Sequence, residues 1–151
     1  PETGNAKALT QVIAETPIAL YGTPELCERF RGGFPDNLDG APMLMPSENQ
    51  SLRALLDGWV RSMNTRVSIV GEFEDRALME CFGMNGLGLF AGSMVIDEYI
   101  RRMYGVERLG ILPGVTQCFY AIALDRKSEH PAVSAILDAA RRRAAPVEEL
   151  V

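Results

Sequence analysis

The residue pattern predicts an α/β fold, a mixed sheet flanked by helices. Two features carry that prediction: short β-rich apolar runs alternate with segments of helical period, and the runs are apolar through their middles, as strands covered on both faces are. The length, 151 residues, suits one ordinary domain with a core of its own. A hydrophobic fraction of 47% beside 23% charged residues is a globular composition and excludes a disordered chain.

Taken in order, residues 1–16 show no strong period and support at most a weak helix over Ala6 to Ala14. Strands are expected at Pro17 to Tyr21, Pro42 to Met45, Val67 to Val70, Leu87 to Ala91, Arg108 to Ile111 and Cys118 to Leu124. The segment Arg31 to Gly40, RGGFPDNLDG, is turn chemistry with room for a short helical turn near Asn37. The clearest helix runs from Glu48 to Met63, where Leu52, Leu55, Leu56, Trp59, Val60 and Met63 recur on one face. Its start, Ser47-Glu48-Asn49-Gln50, reads as a capping box in which Ser47 takes an amide of the first turn and Gln50 reaches back.

A second helix is expected from Asp75 to Phe82, stopped by Gly83. A third opens with Ser93 as its cap, buries Val95, Ile96, Tyr99, Ile100 and Met103, and closes at Gly105, with Arg101 and Arg102 suiting its C-terminal dipole. The last begins near Pro131, carries Val133, Ile136, Leu137 and Ala140 on one face, and ends in Arg141 to Arg143.

Composition excludes several functions. With 15 basic against 20 acidic residues the net charge is -5, the wrong sign for neutralising nucleic-acid phosphates. Apolar stretches such as Leu87 to Ala91 fall far short of the roughly 20 residues that span a bilayer. Pro1 to Lys7 shows no secretory pattern, so a cytoplasmic origin is expected, with no membrane partner. Cys27, Cys81 and Cys118 are odd in number and lack CxxC spacing, so they read as small buried hydrophobes and not as a disulfide framework or a zinc site.

Four places invite a chemical reading. Gly83, Gly86 and Gly88 follow a helix and lead into a strand, the reverse of a dinucleotide-binding loop, so they read as structural. Glu72, Glu74 and Asp75 stand where a strand gives way to a helix: they can offset the dipole of a first turn, or bind a cation or amine. His130, the sole histidine, precedes Pro131 at a helix start and suits capping or the surface; no GxSxG elbow accompanies it, so no catalytic residue is expected. The segment Ser47 to Ser51 is the best ligand candidate, because ligands of open α/β sheets bind beyond the carboxyl ends of strands. Plain capping is the alternative there. The candidate binding residues are therefore Ser47, Glu48, Asn49, Gln50 and Ser51, joined by the turn Phe73, Glu74 and Asp75, with no metal and no cofactor.

Three stretches, FPDNLDGAPMLMPSENQSLRALLDGW, VGEFEDRALMECFGMNGLGLF and FYAIALDRKSEHPAVSAILDAAR, carry a resemblance that runs from Phe34 to Arg141 and is most specific over Val70 to Phe90, with HPAV at His130 to Val133 agreeing with it. By these the chain resembles LysR-type transcription regulators, in particular the subgroup that activates sodium/proton antiporter expression. The resemblance implies a periplasmic-binding-protein-like (type II) fold of two α/β subdomains that hold an effector between them. It implies that residues 1–16 are the tail of a first subdomain, 17–126 the second subdomain, and 127–151 a C-terminal helix returning toward the first. It also implies a small-molecule or ion effector, sodium or alkaline pH by subgroup, self-association as a homodimer or homotetramer, and DNA contact only through an N-terminal domain absent from these residues. A stand-alone α/β binding module or small enzyme of the same fold is the alternative, since fold alone does not fix function. Self-association is expected through an apolar helix face or an exposed strand edge.

Overall fold

The computed structural model describes residues 8–124 and 131–144. In chain order these form β1 (Ala8–Gly22), α1 (Pro24–Arg31), β2 (Pro42–Pro46), α2 (Ser51–Ser62), β3 (Ser68–Phe73), α3 (Arg76–Met84), β4 (Phe90–Ser93), a 3-10 turn (Met94–Ile96) leading into α4 (Asp97–Tyr104), β5 (Glu107–Leu124) and α5 (Pro131–Ala144). They fall into two compact units, one of Pro17–Val115 and the other of the described residues before and after it. Strands β1 and β5 contribute to both.

The larger unit positions the candidate site. Strand β2 pairs with β3 in parallel, from Pro42 against Ser68 to Pro46 against Phe73. Strand β4 pairs antiparallel with β1, which stands between β4 and β5. The two groups are tied where Leu44 donates to the Leu89 carbonyl and Leu89 to that of Pro42, each at 2.8 Å. The second edge of β3 meets no further strand among the described residues, and Ile69 and Val70 lie exposed on it.

Strand alternation sorts the core into two clusters. Ile18 and Leu20 of β1 join Met43 and Met45 of β2, Leu56 and Trp59 of α2, and Cys27 and Leu38 on one side. Ala19 and Tyr21 join Leu44, Met79, Phe90 and Ile100 on the other. A strand apolar at every position is thus buried on both faces, as its composition requires. Each fully buried Leu, Ile or Phe contributes about 1.5–3 kcal/mol.

Several expectations are corrected by pairing. The weak helix over Ala6 to Ala14 is strand wherever it is described, because β1 continues back to Ala8. The strands expected at Arg108 to Ile111 and Cys118 to Leu124 are one strand, β5, running through Pro113 and Gly114. Helix α1 was not expected at all, although Thr23 caps it by accepting from the Leu26 amide at 3.3 Å and Pro24 occupies its first turn. Gly83 does not stop α3 but lies inside it, buried, where a Cβ would run into the ring of Phe90. Gly105 does close α4, with a left-handed φ of 61°. The α4 stripe is buried only at Ile100; Val95, Tyr99 and Met103 are exposed and Ile96 half-buried. On α5, Val133, Leu137 and Ala140 are half-buried and Ile136 is exposed. Of the cysteines only Cys27 is buried; Cys81 and Cys118 are exposed. No helix among the described residues is long and apolar enough to cross a membrane. His130 lies outside the described residues.

Candidate functional site

The parallel register of β2 and β3 brings both predicted segments to one edge of the larger unit. Pro46 stands opposite Phe73, and the ladder extends one step further as the Ser47 amide donates to the Phe73 carbonyl at 2.8 Å. Ser47–Ser51 and Phe73–Asp75, the eight residues singled out in the sequence, are therefore neighbours.

Their local roles differ from the capping box expected. Gln50 stands at the N-cap position of α2, and no side chain caps that helix. Its carboxamide nitrogen instead donates across to the carbonyls of Glu74 at 2.8 Å and Phe73 at 3.3 Å, and to Ser47 Oγ at 3.2 Å. The Ser47 hydroxyl donates to Asn49 Oδ1 at 2.8 Å, so it too is turned away from the first-turn amides. A 12-residue helix thus opens at this edge with donors that its own side chains leave unmet. Glu48, Asn49 and Ser51 are exposed around it.

The acidic turn is less available than its sequence suggests. Asp75 caps α3, its Oδ1 accepting from the Leu78 amide at 3.0 Å. Glu72 pairs with Arg53 at 3.2 Å. Glu74 is exposed, and Phe73 is half-buried against Phe82 with ring centroids 5.3 Å apart. No group of three or more His, Cys, Asp or Glu side chains among the described residues could hold a metal ion.

One residue beneath this edge escaped sequence reasoning. Arg53 is buried in α2, donating from Nη1 to the Pro46 carbonyl at 2.9 Å and from Nε to both oxygens of Asp57 at 3.1 and 3.0 Å. With Glu72 as a further partner it ties α2 to the ends of β2 and β3 at once. Burial alone would lower its pKa; Asp57 and Glu72 outweigh that and hold it above its ordinary value. The only sequence signal was Asp57 one helical turn away, a spacing that suits an ion pair.

The comparisons with known proteins point one way. No family model matches the sequence. The chain is 31% identical over 103 residues, 68% of its length, to the transcriptional activator protein NhaR of Escherichia coli strain K12, and equally to that of Shigella flexneri. Among solved structures, the regulatory domain of CrgA, a LysR-type transcriptional regulator from Neisseria meningitidis, superposes with a TM-score of 0.63 at 16% identity, covering 95% of this chain and 72% of that one. The chain has the fold of a LysR-type regulatory domain. The same periplasmic-binding-protein-like architecture relates it to the CcmR regulatory domain of Synechocystis PCC6803 in complex with 2-PG, at TM-score 0.63, 13% identity and coverage of 97% and 72%. The effector-binding domain of QuiR in complex with shikimate matches at TM-score 0.60, 16% identity and coverage of 95% and 68%. The chain spans about a third, 34%, of the length of the curated NhaR relatives.

Proposed function

We propose that the chain is the effector-sensing part of a LysR-type transcription regulator, without catalytic activity, and that its larger unit supplies one wall of the effector site at Ser47–Ser51 and Phe73–Asp75. One observation carries this: the first turn of α2, uncapped by any side chain, opens beside the carboxyl ends of two parallel strands, the place where α/β folds take ligands. Two neighbours of the same fold are in complex with small molecules, 2-PG and shikimate. The regulator would be cytoplasmic and a homo-oligomer, and it would reach DNA through a separate domain, since a charge of -5 opposes phosphate contact here.

The chemistry of the edge favours an effector with an anionic or strong acceptor group. Such a group would take the amides of Ser51 and Leu52, that of Arg53 already donating to the Gln50 carbonyl at 3.1 Å, and the helix dipole adds to the attraction. A cation reading has a different support, the sequence likeness to NhaR, but it must draw on Glu74 and an Asp75 already engaged as a helix cap.

Induction of a reporter by the regulator separates the two. For an anionic effector, Asn49→Ala or Ser51→Ala weakens the response and Asp75→Asn, which still caps α3, leaves it near normal. For sodium or a proton, Glu74→Gln with Asp75→Asn blunts induction while DNA affinity is unchanged. Intact induction in all four variants, with the protein folded, removes the site from this edge.

A further inference from the structure

A second cluster of charge lies in the larger unit and includes none of the residues just described. Arg31 ends α1, Arg101 lies in the last turn of α4, and Arg108 is the second residue of β5. Together with Val106 and Glu107 they line one cavity of about 300 Å³. Beneath them Asp97 is buried. Its Oδ1 accepts from the Tyr21 hydroxyl at 2.9 Å and pairs with Arg108 Nη1 at 3.2 Å, and its Oδ2 accepts from Arg101 Nε at 2.9 Å. A buried carboxylate fixed by a buried tyrosine therefore orients two guanidinium groups, as a supporting residue orients a ligand.

The ordinary work of arginines at helix C-termini is to offset the dipole, and this accounts for Arg31 and Arg101. It does not account for Arg108, which is on a strand, nor for its sharing one carboxylate with Arg101. The pairing also leaves donors over. Both terminal nitrogens of Arg101 have no protein partner among the described residues, nor do Nε and Nη2 of Arg108. Arg31 pairs through Nη2 with Glu107 and lies 4.0 Å from Glu28, leaving its other terminal nitrogen open. The lining thus holds three guanidinium groups against one carboxylate, Glu107, with Asp97 below it and Glu28 4.0 Å from Arg31, in a chain whose net charge is -5.

We propose that this cavity is a binding site for a small polyvalent oxyanion, a phosphate or a compound with several carboxylates, gripped by the open nitrogens of Arg101, Arg108 and Arg31. Paired N–H groups on planar guanidinium match the oxygens of such anions two at a time. The cavity volume suits a small metabolite and excludes a macromolecule.

Inorganic phosphate and citrate serve as probes, titrated into the chain by calorimetry at constant ionic strength with chloride as the balancing ion. Saturable binding of at least one of them is expected, and which one binds identifies the class of anion. Arg31→Gln, at an exposed side chain with no buried partner, should weaken it by about tenfold, as should Arg108→Gln. Arg102→Gln, next to Arg101 on α4 but outside the cavity, should leave it unchanged. Binding of neither probe overturns the assignment. So does binding that survives both Arg31→Gln and Arg108→Gln, which places the anion elsewhere, the first turn of α2 included.

Discussion

Tyr21 shows how much one side chain can settle. Its ring lies buried against Phe90, centroids 5.8 Å apart, while its hydroxyl ends on Asp97. Burial, and then the hydrogen bond to that carboxylate, raise its pKa well above the ordinary value of 10.0. Burial likewise pushes the Cys27 thiol from 9.0 up to about 11. Both folded-state values are raised, so the unfolded chain loses these protons first as pH rises. The stability they contribute is whole below the ordinary values and drains away above them. The urea midpoint should therefore hold level to about pH 9 and fall beyond it, and Tyr21→Phe should flatten that fall at the expense of about 1.5–3 kcal/mol for the lost hydrogen bond to a carboxylate. An equal alkaline slope in parent and variant would refute the role given to Tyr21. Nothing in the sequence marked this residue, because its partner Asp97 is 76 positions away. Arg53 was hidden for the same reason: a buried arginine inside an apolar stripe makes sense only once Pro46 and Glu72 are brought beside it.

Elements were legible where their own residues decide them and illegible where neighbours do. Helix α2 announced itself through Leu52, Leu55, Leu56 and Trp59, and Gly105 marked the end of α4 correctly. Residues 8–14, ALTQVIA, mix alanine and leucine with the β-branched Thr10, Val12 and Ile13 and lack a period of their own; strand pairing settles the conformation that this mixture left open. The residue pattern predicts separate strands at Arg108 to Ile111 and Cys118 to Leu124, yet β5 runs through the Pro113-Gly114 pair between them. Helix α1 has only Leu26, Cys27 and Phe30 to bury, too short a pattern for a periodicity reading, and Thr23-Pro24 was the overlooked cue. At the candidate site the two predicted segments do adjoin, but Gln50 does not cap its own helix as expected, since its partners are carbonyls 23 and 24 residues away. Gly83 offers a test in which two effects oppose. Alanine at a helix interior is favoured over glycine by about 1 kcal/mol, but a methyl group here meets the Phe90 ring, and overpacking costs about 1–3 kcal/mol. Gly83→Ala should then destabilise the chain, read as a lower thermal midpoint. A rise would mean that α3 and β4 are free to move apart.

On the scale of the whole molecule, the two-strand pairing of β2 and β3 has a consequence for handling the protein. Among the described residues no strand pairs with the outer edge of β3, which carries exposed Ile69 and Val70, a template on which another extended chain can assemble. Storage life should accordingly be set by this hexapeptide and not by global unfolding. Concentrated solutions should lose protein to thioflavin-positive fibres from a state that is still folded. Ile69→Lys puts a charge on the edge without touching the core, so it should slow that loss while leaving the unfolding free energy within about 0.5 kcal/mol of the parent. Fibre growth at an unchanged rate in that variant would assign the template to another segment.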